Sequence, residues 1–172
     1  MIKHKAFTIL ELLLYLALAS VITLTASTLL ANVIQIREKN RATYEVESQG
    51  ELLIQRITRE VRNATRVTAP APQTSSTTGI QIATSDAATN PTVIEIAGAG
   101  LGIKEAGALS AIALLSTKTG IKDFSVQNMA IDADHPDEIK ITFTLFFITE
   151  EQRAGYNYEK TFYGSASTRS VP

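Results

Sequence analysis

The stretch LLLYLALASVITLTASTLLANVIQI (Leu12–Ile36) contains no charged residue and decides how this chain is organised. A helix of these 25 residues would be about 37 Å long, at about 1.5 Å per residue. That length is enough to cross the roughly 30 Å hydrocarbon core of a bilayer, so the stretch predicts a membrane-spanning helix. One residue at its N-terminal border is unexpected: Glu11 is the only charge between Lys5 and Arg37.

A carboxylate in this position is unfavourable unless a partner neutralises it. At the centre of a membrane helix it would cost about 2.5–3.5 kcal/mol, and somewhat less near the end of the span. The basic MIKHK and the apolar run after it have the charge order of a secretory signal peptide, with a small-residue site for cutting after Ala19. However, the run exceeds the usual 7–15 residues of such peptides, and Glu11 interrupts it. We therefore treat Glu11 as a functional residue.

The segment KAFTILE (residues 5–11) resembles the processing and assembly motif of type IV prepilins and pseudopilins. That motif is a short basic leader, here with Lys3 and Lys5, then a small residue, a Phe and a Glu four positions later. The resemblance implies that prepilin peptidase cleaves between Ala6 and Phe7 and N-methylates Phe7. It also implies that Glu11 pairs with the Phe7 amine of a neighbouring subunit. Ala6 stands where the family usually has Gly.

Beyond Ile36 the helical pattern continues but becomes amphipathic. Leu53, Ile57 and Val61 recur every four residues on one face, and the charges between them predict a solvated surface. Gly50 is expected to weaken the helix by about 1 kcal/mol relative to Ala. The helix should end between Asn63 and Val67, because the Pro- and Ser/Thr-rich stretch at 69–79 cannot continue it.

The remainder of the chain predicts β-structure. Segments 79–84 and 92–98 alternate apolar and polar residues between turn formers, and further strands are predicted at 111–116, 121–129, 138–149 and 156–167. The last two are expected to pair as a hairpin. The predicted fold class is α+β, in which a long N-terminal helix packs on a small antiparallel sheet, as in pilins. The predicted organisation is a leader (1–6), a membrane and assembly half-helix (7–36), an amphipathic half-helix (37–67) and a β-rich head (68–172).

Composition excludes several kinds of chemistry. The net charge of −1 indicates no nucleic-acid surface, and the absence of Cys removes disulfides, thiol nucleophiles and thiolate metal sites. Only two histidines occur, His4 at the extreme N-terminus and His135 in a polar turn, so we expect neither zinc chemistry nor a serine–histidine relay. The carboxylates of 132–138 leave calcium as an alternative, but their spacing matches no EF-hand and a polar turn is preferred. The glycines of 98–102 indicate a turn. The serines and threonines of 74–78 indicate a flexible linker.

The sequence therefore predicts a structural protein and not an enzyme, with no catalytic residue, metal or cofactor. The resemblance implies a minor subunit of a type IV pilus or of a type II secretion-like pseudopilus. Its partners would be other pilin or pseudopilin subunits, the prepilin peptidase, the assembly platform and the membrane. It would cross the cell membrane once, with its head outside the cytoplasm, and then join a periplasmic or extracellular filament. The alternative is a conventionally exported or anchored protein whose β-rich head binds a ligand or adheres.

Overall fold

The computed structural model describes residues 8–106, 108–132, 135–148 and 158–169 of the chain. One helix, α1 (Ile9–Asn63), covers 55 residues and ends at Asn63, within the range that the sequence predicts. The chain divides into two structural units, Met1–Asn40 and Arg41–Pro172, and the boundary falls inside this helix. The second unit holds the C-terminal part of α1 and every described strand.

The strands of the second unit are all paired antiparallel. They are β1 (Arg66–Ala69), β2 (Ser75–Ser76), β3 (Gly79–Ala83), β4 (Thr92–Ala97), β5 (Gly100–Lys104), β6 (Ile112–Ala113), β7 (Thr119–Asn128), β8 (Glu138–Phe147) and β9 (Glu159–Ser167). They form a five-stranded sheet in the order β1-β3-β4-β5-β6 and a four-stranded sheet in the order β2-β7-β8-β9.

The predicted α+β architecture is confirmed, but the strands divide between two sheets where we expected one. The predicted β8–β9 hairpin pairing is present, with Phe143 opposite Phe162. The glycine-rich stretch at 98–102 was only partly predicted: Gly98 occupies a left-handed turn conformation (φ 64°), yet Gly100–Lys104 is a strand. The expected linker at 74–78 contains the short edge strand β2.

A single core joins the C-terminal part of α1 to both sheets. The buried face of the helix follows the predicted four-residue spacing and extends it towards the N-terminus; it comprises Ala42, Val46, Gly50, Leu53, Ile57 and Val61. Gly50 has a structural purpose that the sequence did not reveal, because a Cβ there would collide with the ring of Phe162. That ring stacks on Phe143 with 5.5 Å between centroids, so the helix contacts β9 through an aromatic pair.

A buried polar cluster closes the end of the head where the helix stops. The Asp137 carboxylate accepts hydrogen bonds from the Val67 N–H (2.7 Å) and from Asn128 Nδ2 (3.1 Å). The Asp137 N–H donates to Thr168 Oγ1, and the Thr168 N–H donates back to the Asp137 carbonyl, both at 2.9 Å. Since buried polar groups are costly unless paired, this cluster fixes β1, β7, β8 and the end of β9 relative to one another.

Candidate functional site

The candidate site is the apolar segment of α1, residues 9–36, together with Glu11 at its start. Every described side chain from residue 8 to residue 41 is exposed. Large apolar side chains more than half exposed include Ile9, Leu10, Leu13, Leu16, Val21, Ile22, Leu24, Leu29 and Leu30. A helix that is apolar on all sides requires an apolar environment, and this one is long and apolar enough to be a candidate membrane span.

The serine and threonine hydroxyl groups of the apolar segment are satisfied by the helix itself. Each donates to a backbone carbonyl three or four residues earlier: Ser20 to Ala17 (2.7 Å), Thr23 to Ala19 (2.8 Å), Thr25 to Ile22 (2.9 Å), Ser27 to Thr23 (2.8 Å) and Thr28 to Thr25 (2.8 Å). In an apolar medium an unpaired polar group costs several kcal/mol. This back-bonding therefore adapts the β-branched, hydroxyl-rich middle of the segment to a surrounding without water.

Glu11 lies in the first turn of α1, where the positive end of the helix dipole favours a carboxylate. Its N–H donates to Thr8 Oγ1 (3.3 Å), which makes Thr8 the N-cap of the helix. Thr8 and Glu11 have the spacing of a capping box, which is a local signal in the sequence. The helix terminus thus gives Glu11 a local electrostatic partner, in addition to the intersubunit partner that the resemblance implies.

The other residues of the predicted motif, Lys3, Lys5, Ala6 and Phe7, lie outside the described residues. The described helix begins at Ile9, two positions after Phe7. Cleavage between Ala6 and Phe7 and methylation of Phe7 therefore remain predictions from the resemblance.

The polar turn at 132–138 contains the residues considered for calcium. Asp137 is buried and its carboxylate accepts the two hydrogen bonds described above, while His135 Nδ1 lies 2.6 Å from Asp132 Oδ1. Within the described ranges no group of three or more His, Asp or Glu side chains is arranged to hold a metal ion. The Asp137 carboxylate instead accepts hydrogen bonds from Val67 and Asn128 and so has a structural role.

Side-chain hydrogen bonds connect the C-terminal part of α1 to Tyr158 and β9, and to the loop before β7. Glu47 accepts hydrogen bonds from Lys160 Nζ (2.7 Å) and the Tyr158 hydroxyl (3.2 Å), and Ser116 Oγ donates to Glu45 (2.8 Å). The hydrogen bond from Lys160, followed by that from Tyr158, lowers the pKa of Glu47, and the same contact raises the pKa of Lys160. Partial burial, followed by the bond to Glu47, raises the pKa of Tyr158.

Comparison with known proteins identifies no relative of this chain. No protein-family model matches the chain, and the searches of curated proteins and of solved structures find no match.

Proposed function

We propose that this chain is a structural subunit of a type IV pilus or of a type II secretion-like pseudopilus, processed by a prepilin peptidase. The observation that carries the proposal is the exposed apolar segment of α1, headed by a single carboxylate at Glu11. In a lone membrane anchor that carboxylate would serve only the helix terminus. In a subunit that packs its helix among others it has a further use, because a charge at a fixed depth selects one register.

Assembly into such a bundle would bury both the apolar segment and the charge of Glu11, and these two terms determine its free energy. In an assembled bundle the apolar segment would exchange lipid for neighbouring helices, while Glu11 would meet the amine created by cleavage before Phe7. A buried charge without its partner costs about 3–5 kcal/mol, so misregistered subunits would be rejected. Thr8 supports this arrangement, since its cap holds the turn that contains Glu11 in helical form.

The proposed location is the cell membrane, crossed once by the apolar segment, with the head outside the cytoplasm. After extraction from the membrane the subunit would belong to a periplasmic or extracellular filament. The head would then supply lateral contacts and exposed surface, and the chain itself would catalyse no reaction.

The first experiment is the intact mass and N-terminal residue of the protein from membranes of its native host. We expect a chain that begins at Phe7 and carries one additional methyl group. A chain that begins at Ser20, or at Met1 without modification, would contradict prepilin processing. It would support instead an exported or anchored protein that presents the head as a binding module.

A second experiment separates the local role of Glu11 from its assembly role. Glu11→Gln removes the charge but keeps a side chain suited to the capping box, whereas Thr8→Ala removes the cap but keeps the carboxylate. We expect Glu11→Gln to abolish recovery of the protein in sheared filaments while membrane insertion and processing continue. Thr8→Ala should reduce that recovery only partly. Equal effects of the two variants would show that Glu11 acts only on the helix terminus.

A further inference from the structure

The strand β9 (Glu159–Ser167) is the last strand of the four-stranded sheet, and within the described ranges it pairs only with β8. The pairing keeps one register, from Glu159 opposite Phe146 to Ser167 opposite Glu138, without a bulge. The other side of this nine-residue strand is therefore a long and regular sheet edge, which we call the β9 edge.

The backbone groups along the β9 edge follow from the two ends of the strand. The Phe147 N–H donates to the Tyr158 carbonyl (3.0 Å) and the Thr168 N–H donates to the Asp137 carbonyl (2.9 Å), so residues 158 and 168 direct their backbone towards β8. This direction alternates along an antiparallel strand. The residues whose N–H and C=O groups point away from β8 are therefore Glu159, Thr161, Tyr163, Ser165 and Ser167.

The β9 edge lacks the features that usually protect a sheet edge. Natural edge strands are protected by charges, proline, bulges or a covering element. In β9 only Glu159 and Lys160, at its start, are charged, and residues 161–167 contain neither a charge nor proline. The side chains of the five edge residues are all exposed. A long exposed edge of this kind is a template on which another strand can pair.

A groove of about 360 Å³ on the same sheet reaches the β9 edge. Met129, Lys140, Tyr163 and Ser165 are among the residues that line it. Lys140 lies directly opposite Ser165, which places the groove on the exposed face of the sheet. Met129 and Tyr163 are 51% and 69% exposed, so the groove has apolar surface that is open to a ligand. A strand added beside β9 would place alternate side chains on this face.

Pairing of β9 with the β9 of a second copy conflicts with a shared membrane. The contacts between α1 and β9 advance in the same order along both elements, because Gly50 faces Phe162 and Ile54 faces Gly164. The helix therefore runs in the same direction as β9. Antiparallel pairing of two β9 strands would turn the two α1 helices in opposite directions. Copies that cross one membrane in the same sense have helices that point the same way, so the occupant is a different chain.

We propose that the β9 edge binds an extended segment of a different protein, which joins the four-stranded sheet as a fifth strand antiparallel to β9. The segment is uncharged, because residues 161–167 offer no ion pair to compensate a charge that loses its water. It places one long apolar side chain in the groove beside Met129 and Tyr163. Backbone bonds supply the affinity and the groove selects the side chain. This interaction goes beyond the proposed function and does not depend on cleavage before Phe7.

Hydrogen exchange of the full-length chain in lipid nanodiscs tests whether the β9 edge is open. The N–H groups of Thr161, Tyr163 and Ser165 should exchange at least about a hundredfold faster than those of Phe162 and Gly164, which point towards β8. Equal protection of all five groups would show that another part of the chain already covers the edge, and would overturn the proposal.

A synthetic peptide provides the probe for binding. It has nine residues in which threonine alternates with valine, with leucine at the centre and lysine at both ends for solubility. The matched control peptide carries N-methyl groups on the valines and the leucine, so it keeps the side chains but lacks the N–H groups that pair with β9. Fluorescence anisotropy with the full-length chain in nanodiscs should show saturable binding of the first peptide and at least about tenfold weaker binding of the second. Equal binding of the two peptides, or no binding of either, would overturn the proposal.

A matched pair of variants tests the same bonds from the side of the protein. Ser165→Pro removes an N–H that points outwards, a position where an edge strand tolerates proline. It should weaken binding of the peptide about fivefold or more, whereas Ser165→Ala, which keeps the N–H, should bind like the wild type. Unchanged binding by a folded Ser165→Pro would overturn the proposal. Urea denaturation shows whether this variant is folded, and if it is not, the N-methylated peptide decides the same question.

The groove is tested by a double-variant cycle. Met129→Ala should weaken binding of the leucine peptide about threefold, but it should not affect a peptide with alanine in place of the leucine. Equal losses with both peptides would show that the leucine side chain does not enter the groove, and would overturn that part of the proposal.

Disulfide cross-linking fixes the direction of the added strand, and the chain has no native cysteine to interfere. A peptide with cysteine at its C-terminus should link to Thr161→Cys in preference to Ser167→Cys; the reverse preference would overturn antiparallel pairing. Without peptide, Tyr163→Cys in native membranes should form no more disulfide dimers than Tyr44→Cys, whose site is 73% exposed on the helix. Efficient dimers of Tyr163→Cys would show that a second copy occupies the edge, and would overturn the proposal.

Discussion

The two parts of helix α1 differ sharply although they form one uninterrupted element. From Ile9 to Asn40 the helix has large apolar side chains on every face, and all of them are exposed. From Arg41 to Asn63 apolar residues are fewer, yet a regular set of them is completely buried against the sheets. The comparison teaches that the amount of apolar surface does not determine burial; its periodicity does.

Each pattern suits a different solvent. A side chain every three or four residues forms one stripe, which a sheet can cover while the opposite face remains in water. Apolar residues on all sides cannot be covered by one sheet, so that part of the helix requires lipid or other helices. The head should therefore respond to core substitutions that leave the apolar segment unaffected, and the reverse should also hold.

The largest expected effect is that of Phe143→Ala. Phe143 is fully buried and stacks on Phe162, so its truncation should lower the free energy of unfolding of the head by about 3–5 kcal/mol. Urea denaturation of the detergent-solubilised full chain measures this, and membrane fractionation should show unchanged insertion. The matched control Leu24→Ala, at a residue 68% exposed in the apolar segment, should leave the head transition in place. Loss of insertion with Phe143→Ala would contradict the independence of the two parts.

A smaller effect, of unexpected sign, is expected for Gly50→Ala. Helix propensity alone predicts a gain of about 1 kcal/mol. We expect instead a net loss of about 1–3 kcal/mol, because the new methyl group would overpack against the Phe162 ring. Gln55→Ala, an exposed substitution on the same helix, should be close to neutral in the same urea titration. Phe162→Leu should recover part of the loss when combined with Gly50→Ala; a simple stabilisation by Gly50→Ala would refute the proposed contact.

The smallest effect concerns the charged contact between helix and sheet. The pKa of Glu47 is below its ordinary value of 4.5, so its bond to Lys160 adds stability above that pH and loses it as the pH falls further. The pKa of Lys160 is above its ordinary value of 10.5, so the same bond weakens again at higher pH. Glu47→Gln should flatten the acid side of the urea-midpoint profile, while Glu95→Gln, at an exposed strand position, should not. Identical profiles for wild type and Glu47→Gln would show that the bond contributes nothing measurable.

The elements with strong periodicity could be predicted from the sequence. The end of α1, the strand β8 and its pairing with β9 all follow from local patterns of apolar residues, and the structure has them where the sequence places them. The Thr8–Glu11 cap was equally visible, because its spacing is a local signal.

Features that depend on distant residues could not be predicted. β5 begins Gly-Leu-Gly, which has low strand propensity, and it exists because β4 and β6 flank it. The purpose of Gly50 depends on Phe162, more than a hundred positions later, and nothing near Gly50 indicates that partner. The division into two sheets likewise depends on where consecutive pairing stops, between β6 and β7, and on the pairing of β2 with the distant β7; periodicity gives no information on either.

The Asp137 cluster has a mechanical consequence for a subunit held by its helix. Tension applied along α1 would enter the head at the first residues after Asn63, where Val67 is bonded to Asp137 at the start of β8. The paired bonds between Asp137 and Thr168 would then pass the load to the end of β9. Force would therefore be shared with the ends of two long neighbouring strands, β8 and β9, and would not fall on the short strand β1 alone.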